Sequence, residues 1–348
     1  MDTKLTRMIS VLATAATAAA LAATASAAPP TPPAQPLKGP GGAAGKWSAV
    51  HAVLHDNADD DLDYWTFEPR GWRQEPARKP DAAPVVFFLH GYRATDPTRY
   101  DAWIDHLVSK GSIVVYPRYQ ATPYTPTVTY TDNAIAALRD AVPWLRANAK
   151  PKPSLRDGVN VIGHSYGGAV AANVAARAVD SGLPRPASIL LANPFVENAT
   201  YKPPIDAIDD DLSGIPKGTL LDCIVADVDS FAGRLGCDEV FQRTGHLKRG
   251  NRSYVWMFGD DHGSPSLVSN HFAPSVASPV DALDYFGYWK LGDALATCAL
   301  KGDRCGYAVG GGAKQAGMGH WSDGVPVRPL SIFSKPPACP ADTQTYGC

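Results

Sequence analysis

Unbroken apolar runs of strand length recur through the middle of the chain and alternate with stretches whose apolar residues return every three or four positions. The runs are Val85-Val86-Phe87-Phe88-Leu89, Ile113-Val114-Val115-Tyr116, Val159-Asn160-Val161-Ile162, Ser188 to Ala192, Leu220 to Ala226 and Tyr254 to Phe258. Each reads as a strand buried on both faces, as in a parallel sheet covered on its two sides. Helical spacing predicts a helix over 97–110, where Tyr100, Trp103, Ile104 and Leu107 share a face and Gly111 stops it. A second is predicted over 131–145, with Pro143 expected to kink or break its last turn. The Ala-rich 169–178 segment, 238–243 and 280–300 supply further helices. Residues 48–54 and 64–67 are expected as first strands, joined by an acidic turn of Asp59, Asp60, Asp61 and Asp63. That turn reads as solvated rather than as a calcium loop, whose glycine and terminal Glu it lacks.

Strands alternating with helices predict an α/β fold, a mostly parallel central sheet with helices on both faces. In such sheets sites form at the carboxyl ends of strands. One rim therefore receives His90-Gly91-Tyr92, Ser165, the residues after Ala226 and those after Phe258. The 193–218 connection is long, polar and proline-rich, which makes it a candidate flap over that rim.

Composition adds boundaries and a compartment. Lys4 and Arg7, an apolar 9–22 run and Ala25-Ser26-Ala27 make residues 1–27 read as a cleaved secretory leader, too short and too rich in Ala and Thr for a membrane anchor. After its removal no transmembrane segment is expected. Residues 28–45, rich in Pro, Gly and Ala, are expected as an extended, mobile linker, and 46–348 as the folded domain. The formal charge of −2 becomes −3 without the leader and points to no nucleic-acid partner. Six cysteines in a chain marked for export favour disulfides. Sequence proximity favours Cys223 with Cys237, Cys298 with Cys305 and Cys339 with Cys348, because short loops cost little entropy to close. Four of the six would staple a C-terminal region at 298–348. No Cys or His spacing suggests a metal site, and no cofactor is expected.

The chemistry centres on Gly163-His164-Ser165-Tyr166-Gly167-Gly168, set between a predicted strand and a predicted helix. A serine in such a sharp turn projects its hydroxyl above the sheet. Being a weak nucleophile, it needs a general base and a carboxylate that orients the base. Asp227 and Asp229 follow Ala226, and Asp229 is preferred because two more residues carry it past the strand end; Asp222 lies in or before that strand. His246, His262, His271 and His320 all lie downstream of the acid. His262 is preferred because Gly259-Asp260-Asp261-His262-Gly263 directly follows the last strand, with His271 next. His90 is read as shaping an oxyanion loop, the donors being the backbone N–H groups of Tyr92 and Tyr166. Tyr92, Tyr119, Tyr124, Tyr130, Tyr166, Phe195 and Trp321 are candidates to line an acyl or aryl pocket.

Over residues 64–271 these motifs resemble the α/β-hydrolase superfamily, and within it the secreted esterase, lipase and cutinase-like enzymes with a Gly-His-Ser-x-Gly-Gly elbow. The resemblance implies a Ser-His-Asp triad, mapped here onto Ser165, His262 and Asp229, an acyl-enzyme mechanism without a cofactor, and a small-molecule, lipid or polymer ester as substrate. Acyltransferases and amidases or peptidases use the same triad. A non-catalytic binding protein can also keep the fold, since a fold does not fix function.

Overall fold

The computed structural model describes residues 28–72, 82–200, 207–209 and 211–348. Its strands are β1 (Trp47–His55), β2 (Tyr64–Trp72), β3 (Ala82–Leu89), β4 (Ile113–Pro117), β5 (Lys152–Ser154), β6 (Val159–His164), β7 (Pro186–Ala192), β8 (Leu220–Ala226), β9 (Arg252–Met257) and β10 (Ser331–Phe333). They form one sheet in the order β1-β2-β4-β3-β6-β7-β8-β9-β10, with the short β5 beside the start of β3. The strands from β4 across to β9 run parallel. The antiparallel pair β1 and β2 extends one edge and antiparallel β10 the other.

The apolar runs are continuous because both sheet faces are covered. Phe87, Val161, Ile189 and Val225 point into one core, beneath α2 (Tyr130–Asn148), α3 (Tyr166–Arg177) and α4 (Leu235–Arg243). Their neighbours Phe88, Ile162, Leu190 and Ile224 point into the other, beneath α1 (Asp101–Ser109) and α5 (Trp289–Lys301). This is the period-2 alternation of a strand, with apolar contacts on either side. Helix α3 is buried from Tyr166 to Ala176, and its Gly and Ala residues let it sit close to the sheet.

Three expectations change. Helix α2 does not end at Pro143: it runs on to Asn148, with Val142 and Leu145 buried on either side of the proline. The 28–45 segment is extended but lies against the body. Pro30 O accepts from Ser264 N at 2.8 Å, Thr31 O from Ser322 N at 3.0 Å, and Gly41 N donates to Asp293 Oδ2 at 2.9 Å. Its prolines favour an extended shape, and near its end the chain folds back on itself, with Ala43 N and Ala44 N donating to Pro36 O and Leu37 O at 2.7 and 2.9 Å. In the acidic turn, Asp63 is buried against Arg118 at 2.8 Å, and Asp61 accepts from Thr125 Oγ1 at 2.7 Å. These two carboxylates fasten the loop after β4 instead of standing in solvent.

The disulfides are Cys223–Cys237, Cys298–Cys305 and Cys339–Cys348, the pairs that sequence proximity favours. The first fastens β8 to α4. No helix among the described residues is long and apolar enough to cross a membrane. Part of the proposed flap, 201–206 and 210, lies outside the described residues.

Candidate active site

Strand β6 ends at His164 and α3 begins at Tyr166, which leaves Ser165 alone in the turn with φ 57° and ψ −126°. A non-glycine residue seldom holds a positive φ, and here the surroundings impose it. Ser165 N donates to Ala192 O at 3.1 Å, while Ser165 O accepts from Gly168 N at 2.8 Å and Phe195 N at 2.9 Å. The glycines leave the turn room to form. A Cβ on Gly163 would lie 2.1 Å from Gly167 O, and one on Gly167 2.2 Å from Leu89 O.

The turn presents Ser165 Oγ to His271 Nε2 at 2.8 Å. On the far side of the ring, His271 Nδ1 lies 2.8 Å from Asp229 Oδ2. Asp229 is fully buried, and its other oxygen accepts from the amides of Phe231 and Ala232 at 2.9 Å each. A carboxylate held in this way accepts the Nδ1 hydrogen and leaves Nε2 a lone pair for the serine proton. Serine, acid and histidine follow β6, β8 and β9 in chain order, all at the carboxyl rim of a parallel sheet. Residues 86–217 match the model of a family described as alpha/beta hydrolase fold.

The chain has the α/β-hydrolase fold. Among solved structures it is similar to carboxyl esterase 2 of the mycorrhizal fungus Tuber melanosporum, with 16% identity and a TM-score of 0.49 over 73% of this chain and 88% of that one. No curated protein sequence matches it.

The histidine facing the serine is His271, and the preference for His262 is corrected. After β9 the chain makes an excursion before it returns to the rim. Asp260 and Leu267 pair through N–H···O bonds of 2.9 and 2.8 Å, which turns the intervening residues outward. His262 sits on that excursion, half-exposed, with Nε2 2.7 Å from Asp323 Oδ2 and its ring beside Trp321. The chain comes back where Ser269 Oγ donates to Met257 O at 2.8 Å and Val228 N to Ser269 O at 3.0 Å. Two residues later comes His271.

The remaining candidates lie elsewhere. Asp227 Oδ1 accepts from Gly259 N at 3.1 Å, and burial raises its pKa. Asp222 is buried inside β8, where desolvation holds its carboxyl well above the usual range. His246 donates to Ile215 O at 2.8 Å, and His320 bridges to Pro326. His90 is fully buried and stacked on Tyr119 at 4.2 Å. Burial lowers its pKa to about 4, so the ring is neutral. It braces the loop that carries Tyr92. The amides of Tyr92 and Tyr166 donate to no protein acceptor among the described residues, and their rings stack at 5.1 Å.

A cavity of about 570 Å³ opens beside Ser165, walled by Tyr92, Tyr166, Phe195, Phe231, Phe272 and Val276. Phe231 and Phe272 flank the His271 ring at 5.6 and 5.1 Å. Tyr119, Tyr130 and Trp321 belong to the core and Tyr124 is exposed, so these four do not line it. Sequence reasoning also missed the C-terminal tail. Gln344 N donates to Asp227 O at 2.8 Å and Tyr346 N to Asp229 O at 2.9 Å, so the tail laces down the loop that carries Asp229. Apart from the Cys339 and Cys348 pair, nothing in the tail's sequence marks that position.

Proposed function

We propose that this α/β-hydrolase is an exported serine esterase. The observation that carries the reading is the line Ser165 Oγ, His271, Asp229, with both links 2.8 Å long. Ser165 attacks the ester carbonyl as His271 Nε2 takes its proton, and Asp229 stabilises the imidazolium. The amides of Tyr92 and Tyr166 receive the oxyanion. His271 then protonates the departing alkoxide, which leaves as the alcohol. Water, deprotonated by the same imidazole, cleaves the acyl-enzyme to the free acid and restores Ser165. Every proton in this cycle passes through His271.

The cavity walls favour esters with an apolar acyl or alcohol group, because a largely aromatic wall, in part open to solvent at Tyr92, Phe231 and Phe272, offers contact area and few polar partners. The leader pattern of residues 1–27 and the three disulfides support export. The test is hydrolysis of p-nitrophenyl esters together with covalent labelling by a fluorophosphonate. Ser165→Ala should abolish both; full turnover by that variant would refute the reading.

A further inference from the structure

The residue before the serine joins the histidine to the oxyanion loop. His164 is buried at the end of β6, with Nε2 2.8 Å from His271 O and Nδ1 2.7 Å from Tyr100 Oη. A carbonyl only accepts, so Nε2 carries the hydrogen. In a neutral ring Nδ1 is then the acceptor, and the Tyr100 hydroxyl donates to it. Gly91 N–H completes the line by donating to the same hydroxyl at 3.0 Å. Every donor in this buried chain has one direction. Desolvation lowers the His164 pKa to about 3, so the ring stays neutral across the working range of an esterase. That neutrality has a use, because the two imidazole centroids are 5.1 Å apart and a second cation there would oppose the imidazolium on His271. His271 itself stands on a loop, without a strand ladder to fix its backbone. Asn193 Nδ2 donates to the same carbonyl at 3.3 Å, so His271 O is held from two sides.

We propose that His164 is a positioning residue that clamps the backbone of His271 and, through Tyr100, the amide of Gly91 beside Tyr92, fixing base and oxyanion loop relative to Ser165. It does not touch the reacting atoms. The proposal rests on the reading of Ser165 and His271 as nucleophile and base.

The experiment counts competent sites by fluorophosphonate titration and measures kcat and KM for p-nitrophenyl butyrate per titrated site. His164→Leu removes the clamp, whereas His164→Gln keeps an amide N–H near the Nε2 position. Losing a buried hydrogen bond to the base should lower kcat of His164→Leu about ten- to a hundredfold with KM within about twofold, and His164→Gln should recover most of it. Tyr100→Phe should cost about tenfold, and adding it to His164→Leu should cost little more, because the two act through one line. A kcat per site in His164→Leu within about twofold of the parent, or fully additive effects, would overturn the proposal. If His164→Leu does not fold, Tyr100→Phe decides: undiminished kcat there overturns it as well. Failure of the parent to label would instead sink the esterase reading, so the two failures are distinguishable.

Discussion

Ser165 Oγ and Asp229 Oδ2 bracket the His271 ring at 2.8 Å on each side, and the ring's flanks are covered by Phe231 and Phe272. A histidine in that setting has its tautomer fixed by Asp229 and its rotation restrained by packing. His262 has neither constraint, standing half-exposed beside Asp323. His271→Ala should therefore lower kcat by about four orders of magnitude or more, whereas His262→Asn should leave kcat/KM within about twofold. Steady-state hydrolysis of one p-nitrophenyl ester by both variants checks this; equal losses would contradict it. The contrast also shows what a sequence can carry about this site. Ser165 is legible because its glycines, its strand and its helix are contiguous with it. The acid is legible to within two residues because it directly follows an apolar strand. The histidine is not, because the length of an excursion before a chain returns to the rim depends on pairings such as Asp260 with Leu267, which hydrophobic period does not encode.

At the scale of elements, the elbow works because two backbones touch where any side chain would intrude. A Cβ on Gly167 would stand 2.2 Å from Leu89 O and 2.4 Å from His90 O, both at the strand end that leads into the loop of Tyr92, the proposed oxyanion donor. Backbone cannot rotate aside as a side-chain tip can. Gly167→Ala should thus force β3 and α3 apart, cost about 1–3 kcal/mol of stability and depress turnover by more than the folded fraction accounts for. Gly218→Ala is the control, since nothing lies within 4 Å of its Cβ position. Thermal unfolding and ester hydrolysis on both variants test the contrast, and an active, fully stable Gly167→Ala would be inconsistent with it. The strands and the larger helices could be read from the sequence because burial on both faces writes itself as continuous apolar runs. The docking of 28–45 and of the tail could not, because much of it runs through backbone N–H and C=O groups, and the few side chains that help, such as Thr343 and Thr345, are hydroxyls with no hydrophobic period.

Over the whole molecule, buried ionisable groups pull stability in opposite directions as the pH changes. His90 and His164 have folded pKa values of about 4 and about 3, below the ordinary 6.5, because burial disfavours their charged forms. Their unfolded forms bind protons first on acidification, so their contribution is complete above pH 6.5 and is lost as pH falls toward 4 and 3. Asp284, ahead of α5, has the reverse sign. Burial raises its carboxyl to about 8 from 3.8, and the nearby Asp281 is raised as well. A raised folded pKa means that the native state takes up the proton first. Asp284 therefore adds stability as pH falls from 8, reaching its full value below 3.8. Between pH 7 and 5 one such carboxyl gains about 1.4 kcal/mol per pH unit, while one such imidazole loses less, about 1 kcal/mol per unit on average, because the unfolded histidine only begins to bind protons near 6.5. Asp284→Asn removes its own gain and leaves the imidazole loss less opposed, with the raised carboxyls of Asp281, Asp222 and Asp227 still in place in both proteins. Relative to the parent, its unfolding free energy should fall by about 1–1.4 kcal/mol for each pH unit of acidification from 7 to 5. Urea unfolding of both proteins at three pH values reads this directly. A pH-independent difference would mean that Asp284 is ionised in the folded protein, and its burial ahead of α5 would then require a cationic partner.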